Sequence, residues 1–214
     1  SGGTLYIAPA EIRASTHELA QFLRKTAITH AILPPAVLAQ LPNADLPALQ
    51  TLIAGGEACS QEIVNRWAVD RQFWNAYGPT ETTIWATVAR LTPGNHPLTI
   101  GRPVANTQVY LLNAYLQPVP IGATGELYVA GDGVARGYLH RPELTAERFI
   151  NNPFNSSSRY PKLYKTGDLA RYRADGNLEF LGRSDDQVKI RGFRIELGEI
   201  NAVLIQHPFI QTAV

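Results

Sequence analysis

Residues 49–79 read LQTLIAGGEACSQEIVNRWAVDRQFWNAYGP. Leu49 to Ala54 is a short apolar run stopped by Gly55-Gly56. A run that short, bounded by turn residues, reads as a buried strand rather than a helix. Ser60 can cap the helix that follows, and Ile63, Val64 and Trp67 recur behind it at helical spacing. A second apolar run, Phe73 to Tyr77, ends at Gly78-Pro79. Strand, helix and strand in that order predict a parallel α/β layer.

The same grammar runs upstream. Ser15-Thr16-His17-Glu18 is a capping box, and Leu19, Phe22 and Leu23 follow at helical spacing, which predicts a helix over 16–25. Ala31-Ile32-Leu33 reads as a buried strand stopped by Pro34-Pro35, and Val37 to Leu41 as a short helix. Leu5-Tyr6-Ile7 is strand-like. Residues 1–98 are therefore expected to form the α/β layer.

Near Ile100 the texture changes. Glycines 101, 122, 125, 131, 133 and 137 punctuate β-rich runs such as Gln108–Leu112 and Glu126–Ala130. Asp175-Gly176 between Leu169–Arg173 and Asn177–Leu181 predicts a hairpin, and Pro142 to Phe149 a short helix. Residues 99–184 are expected to form a smaller antiparallel barrel or sheet packed on the layer. Asn155 to Ser158 reads as a loop tip. A third texture covers 185–214, the start of a small α+β subdomain. There Val188 and Ile190 share one strand face with Lys189 on the other. A helix over Glu196–Gln206 is expected to turn Leu197, Ile200, Val203 and Leu204 inward and to stop at Pro208.

Composition narrows the function. Of 214 residues, 45% are hydrophobic and 17% charged, and 19 basic against 18 acidic residues leave a net charge of +1. That balance gives no electrostatic case for nucleic acid or an anionic membrane. No signal peptide or membrane-spanning run is visible. Cys59 is the only cysteine, so no internal disulfide can form, which suits the cytoplasm. It reads as a small residue at a helix edge, not a nucleophile. The chain holds no methionine and opens in mid-pattern, so a fragment of something longer is expected.

In an open parallel sheet, ligands sit beyond the carboxyl ends of the strands. Two adjacent strand ends here are Gly55-Gly56-Glu57 and Asn75 to Glu81. Glycine lets backbone approach a flat ligand. Tyr77 can stack on a heteroaromatic base, and the Asn75 amide can pair with its edge. Thr80, Thr82 and Thr83 offer hydroxyls and N–H groups to phosphate. Glu81 is a hard oxygen ligand suited to Mg²⁺ beside phosphates. The plainer alternative is a turn and helix cap with Glu81 in solvent. Elsewhere, Asp168 in Tyr164-Lys-Thr-Gly-Asp-Leu169 could bind paired ribose hydroxyls, and Arg183 in Gly182-Arg-Ser-Asp-Asp186 a ribose or phosphate oxygen. On spacing alone both are ordinary turn chemistry.

Taken together, "NAYGPTE", "GELYVAGDGVARGYLHRPELTAERF", "YKTGDL" and "GRSDDQVKIRGFRIELGEI", in that order, resemble the adenylation domains of nonribosomal peptide synthetases. Asn201 departs from the pattern, where that branch usually carries an acid. The resemblance implies activation of an amino acid or related acid by ATP and Mg²⁺, then transfer to the phosphopantetheine thiol of a carrier protein. Neighbouring condensation or other synthetase domains are the further partners implied. It implies that Tyr77 packs on adenine, with Asn75, Gly56, Glu57 and Gly78 around the base and Phe180 nearby. Thr80 and Glu81 are the implied catalytic residues, Thr80 at the phosphates and Glu81 on the metal. Asp168 and Arg183 take the ribose, and Asp185 is the hinge of the C-terminal subdomain. Gly192 and its neighbours match the loop that meets the pantetheine arm. The family's phosphate loop and catalytic lysine have no counterpart in this sequence, so the chain alone is expected to be inactive.

The implied acid pocket is Ile32, Ile53, Gly55, Ala76, Ile84 and Trp85. That lining is apolar, and an unpaired charge buried there would be costly, so basic and acidic side chains are disfavoured. Trp85 shortens the pocket if it points inward, which favours a glycine- or alanine-like acid. A branched aliphatic acid and a 2-oxo or hydroxy acid stay open. Two other classes also stay open: a catalytically silent scaffold module, and a coenzyme A ligase.

Overall fold

In the computed structural model of the chain, the three apolar runs become parallel strands: β1 (His30–Leu33), β2 (Thr51–Gly55) and β3 (Gln72–Tyr77). The structure describes residues 2–42, 45–94, 96–154, 159–185, 187–190, 193–195, 197–207, 209–210 and 212. The crossovers carry helices. Before β1 lie α1 (Ala10–Arg13) and α2 (Thr16–Lys25); α3 (Pro35–Gln40) and α4 (Gln61–Trp67) separate the strands. Both predicted caps form: Ser15 Oγ accepts from the Glu18 N–H and Ser60 Oγ from the Ile63 N–H, each at 3.3 Å. Each satisfies one donor the first helical turn leaves without a partner.

Strand alternation then sorts the sheet's faces. Leu52, Ala54 and Phe73 pack against Leu23, Leu38, Val64 and Trp67 of the helices. Burying each large apolar side chain contributes about 1.5–3 kcal/mol. The opposite face carries Ile53, Gly55 and their register partners Ile32 and Ala76. Two expectations fail here. Leu5-Tyr6-Ile7 forms no strand, and Leu5 and Ile7 are exposed, since neither finds an edge to pair with. Ile32 is 63% exposed, because β1 is the edge strand and no described residue covers that face of it.

The layer is mixed rather than purely parallel. After β3 the chain makes one short turn (Thr80–Thr82, 3₁₀) and returns antiparallel as β4 (Thr87–Leu91), with β5 (Arg102–Pro103) beyond it. Gly78 permits the reversal: a Cβ there would lie 2.4 Å from the Ile84 carbonyl oxygen. Thr83 completes the reversal in the left-handed region at φ 71°.

The second sheet contains β6 (Thr107–Leu112), β7 (Gly125–Gly131), β8 (Phe149–Asn151), β9 (Lys162–Tyr172) and β10 (Leu178–Arg183), with α5 (Pro142–Arg148) before β8. Its order is β10-β9-β7-β6, all antiparallel, and β8 pairs the first part of β9. It curls as an open half-barrel. The predicted hairpin at Asp175-Gly176 forms, with the Arg173 N–H on Asn177 O at 2.8 Å. Leu111, Leu127, Val129 and Leu178 pack with Ala86, which precedes β4, and with Ile100, which precedes β5, so one core bridges both sheets. The sheets meet at Gly101, where the Ile100 N–H donates to Leu178 O and the Leu178 N–H to Gly101 O, both at 2.8 Å.

The third region is a hairpin of β11 (Val188–Ile190) and β12 (Phe193–Ile195) followed by α6 (Leu197–Ile205). The expected inward face of α6 is not inward. Leu197, Ile200, Val203 and Leu204 are 39%, 47%, 67% and 42% exposed, because the described residues leave them uncovered. The expected ends at Glu196 and Pro208, Gly192 of the loop and the 155–158 tip lie outside the described residues. Among the described residues no helix is long and apolar enough to cross a membrane.

Candidate functional site

The carboxyl ends of β2 and β3 open into a cavity of about 530 Å³ that the second sheet closes from the far side. Gly56, Glu57, Asn75, Tyr77 and Gly78 line it from the first sheet; Asp168, Phe180 and Arg183 line it from β9 and β10. Of the residues predicted for the nucleotide, Thr80, Thr82 and Thr83 are off this wall, and Thr80 lies exposed on the turn beyond. The rings of Tyr77 and Phe180 meet at 6.2 Å with a 37° tilt. Asn75 is committed on one side: its Nδ2 donates to Thr99 O at 2.8 Å, which leaves Oδ1 to face a base. Glu57 Oε2 accepts from the Ala36 N–H at 3.2 Å and so also ties the cavity rim to α3.

Two irregularities in the second sheet aim its contribution. Between the pairs Glu126–Leu169 and Tyr128–Lys165 the β9 strand carries extra residues, with Gly167 at φ 77°. Thr166 Oγ1 donates to Leu127 O at 2.6 Å and accepts from the Asp168 N–H at 2.9 Å, which holds the distortion. In β10 the register shifts between Phe180 and Gly182, so that Arg183 pairs Asp168 across the ladder. Such bulges bend a strand and re-aim its side chains.

The result is a charged knot at the cavity floor. Arg183 Nη1 donates to Asp168 Oδ1 at 2.7 Å, and its Nε and Nη2 donate to the Asp185 carboxylate at 2.7 and 2.8 Å. The Tyr77 hydroxyl donates to Asp168 Oδ2. Burial, and then the Asp168 carboxylate, pushes the Tyr77 phenol well above its ordinary value, so it stays a donor. Burial alone would raise Asp185, yet its Arg183 bonds hold the carboxyl below the usual value. Arg148 of α5 adds a contact at 3.8 Å. An aromatic pair beside a carboxylate and a guanidinium is an arrangement that can hold a base and its sugar.

Glu81 does not line the cavity. It is 7% exposed, and its Oε1 accepts from the Tyr138 hydroxyl at 2.6 Å. Among the described residues no three His, Cys, Asp or Glu side chains converge into an all-protein metal cage. One carboxylate together with phosphate oxygens is how Mg²⁺ is usually held, and Glu81 fits that role.

Of the pocket residues, Ile32, Ile53, Gly55 and Ala76 share one face of the sheet, and Ala76 also borders the nucleotide cavity. Ile84 is 70% exposed and Trp85 half-buried. The described residues bring four of the six together and do not close a pocket around them.

Sequence reasoning missed Tyr138, and it missed Cys59, Gln187 and Val188 as cavity lining. Only "GVARGYL" within the resemblance carried a signal for Tyr138. Burial pushes the Cys59 thiol up to about 11. At pH 8 the reactive thiolate is then on the order of one part in a thousand. Alkylation of the Cys59 peptide by iodoacetamide, followed by mass spectrometry, should be slow at pH 8. It should rise roughly tenfold per pH unit towards pH 10, and AMP should slow it. A rate at pH 8 like that of free cysteine would contradict the burial.

The sequence profile of the family described as AMP-binding enzyme matches residues 1–139. The chain is 56% identical, over all 214 residues, to a linear gramicidin synthase of Brevibacillus parabrevis, and spans 3% of that protein. It is 52% identical over 206 residues to bacitracin synthase 3 of Bacillus licheniformis, covering 96% of this chain and 3% of that one. Among solved structures it is similar to holo-PA1221, an NRPS protein containing adenylation and PCP domains bound to a vinylsulfonamide inhibitor. There the TM-score is 0.83 at 30% identity, over 91% of this chain and 35% of that one.

Proposed function

The chain belongs to the AMP-binding enzyme family, as part of a nonribosomal peptide synthetase adenylation domain, and from that premise we propose that its cavity holds the ATP with which an amino acid is activated. One observation carries the proposal: residues as far apart as Gly56 and Arg183, 127 positions, line a single cavity suited to a nucleotide. Tyr77 and Phe180 flank adenine, the Asn75 oxygen faces its edge, and Asp168 with Arg183 receives the ribose. Thr80 contacts the phosphates. Mg²⁺, when bound through Glu81, neutralises phosphate charge. The carboxylate oxygen of the acid bonds to the α-phosphorus as the bond to pyrophosphate breaks. The deprotonated pantetheine thiol of a carrier protein then attacks the acyl carbonyl carbon and the bond to AMP breaks, so the thioester forms and AMP leaves, with Asp185 as the hinge between the two steps. An apolar face of Ile32, Ile53, Gly55 and Ala76 favours a small or aliphatic acid over a charged one.

The test is acid-dependent ATP–pyrophosphate exchange with the intact protein. The panel holds Gly, Ala, Val, Leu, Ile, Phe, Arg and the matching 2-oxo acids. Exchange with one small or aliphatic acid is expected. Exchange with Arg alone would refute the apolar pocket. No exchange from a protein that still binds ATP would replace activation by a silent scaffold.

A further inference from the structure

The turn that carries Glu81 is clasped by a loop from the other sheet. Residues 132–138 follow β7 and fold over the 79–83 turn. The Ala135 N–H donates to Glu81 O at 2.8 Å, and Thr83 Oγ1 donates to Gly133 O at 2.5 Å. Gly133 allows the approach: a Cβ there would lie 2.8 Å from Thr82 O. The loop is itself anchored, since the Tyr138 N–H donates to Thr145 Oγ1 of α5 at 2.9 Å. Its last side chain completes the clasp. The Tyr138 hydroxyl donates to Glu81 Oε1 at 2.6 Å and lies 3.4 Å from the Tyr164 hydroxyl. The Tyr138 ring stands edge-on to Phe149 at 5.4 Å, and Phe149 packs on Tyr164 at 5.0 Å. The phenol is thus fixed in place before it bonds the carboxylate.

A carboxylate on a short 3₁₀ turn has several rotamers. A metal with strict octahedral geometry accepts few of them. Groups that orient a metal-binding side chain are a regular part of such sites. We propose that Tyr138 is a positioning residue: it holds the Glu81 carboxylate in the orientation that receives the divalent cation of bound ATP. The clasp couples the metal position to the second sheet, the sheet that also supplies Asp168 and Arg183. This rests on Glu81 being the metal-facing carboxylate, and the test separates the two claims.

Binding of α,β-methylene-ATP to the intact protein is measured by calorimetry, in EDTA and in saturating Mn²⁺. The ratio of the two dissociation constants reports the metal's contribution. In Tyr138→Phe the ratio should fall about tenfold while the metal-free affinity stays unchanged. Glu81→Gln should lower the ratio at least as far, and Tyr138→Phe should add nothing in the Glu81→Gln background. A ratio unchanged by Tyr138→Phe but lowered by Glu81→Gln would overturn the positioning role and leave Glu81 as ligand. A ratio unchanged by Glu81→Gln would overturn both. Equal loss with and without metal would make Tyr138 merely structural and also overturn the proposal. If Tyr138→Phe does not fold, Tyr164→Phe should lower the ratio about threefold, and no change would overturn the proposal.

Discussion

Replacing Asp168 by alanine should weaken ATP binding by the intact protein about 100-fold or more. The carboxylate is 4% exposed and faces the cavity between the Tyr77 hydroxyl and the Arg183 guanidinium. A ribose offers two hydroxyls, and each bond to a charged acceptor contributes roughly 1.5–3 kcal/mol. Losing both gives the expected factor. The fold should survive, because Arg183 keeps its paired bonds to Asp185 and its bond to Thr166 O. Calorimetric titration with ATP checks this, with circular dichroism as the control for folding. An affinity within about threefold of wild type would remove Asp168 from the site.

Gly101→Ala should have the largest effect on stability. Gly101 sits at φ 77°, where an L side chain is strained by about 1–2 kcal/mol. The greater cost is steric. A Cβ there would lie 1.8 Å from Val88 O and 2.5 Å from the Ala89 nitrogen, both backbone atoms of β4. The strand would have to move, and it is held by the hydrogen bond from Thr87 Oγ1 to Ile100 O at 2.6 Å. This is also the junction of the two sheets, so the cavity walls would part. A loss of about 4 kcal/mol or more is expected. That corresponds to roughly 10 °C in the melting temperature of the transition that includes this region. A melting temperature within about 2 °C of wild type would show that the junction is not as tight as described.

What the sequence reveals follows the range of the physics involved. The Ser15 and Ser60 caps, the helices behind them and the runs that become β2 and β3 are local patterns, and they form as read. Strand β4 was not legible. Its five residues alternate weakly, and the reversal that starts it depends on the close approach at Gly78. The exposed apolar face of α6 shows the opposite limit. Periodicity says which residues share a face, not what covers it. The site divides in the same way. Tyr77 and Gly78 were readable as a strand end, where open sheets bind ligands. Their meeting with Asp168, 91 positions away, depends on the sheet junction and on two bulges. No spacing rule encodes that, and only the resemblance placed those residues together. Tyr138 was missed because one tyrosine in a glycine-rich loop has no signature of its own; its role comes from the turn it reaches.

The central claim is that adenosine occupies the cavity between the two sheets. Photolabelling of the intact protein with 8-azido-ATP, followed by peptide mapping, tests it most directly. The label should fall on peptides that contain residues 56–59, 75–78 or 180–183, the stretches that supply most of the lining, and excess AMP should abolish it. Labelling confined to peptides outside these stretches, with the same competition by AMP, would contradict the account.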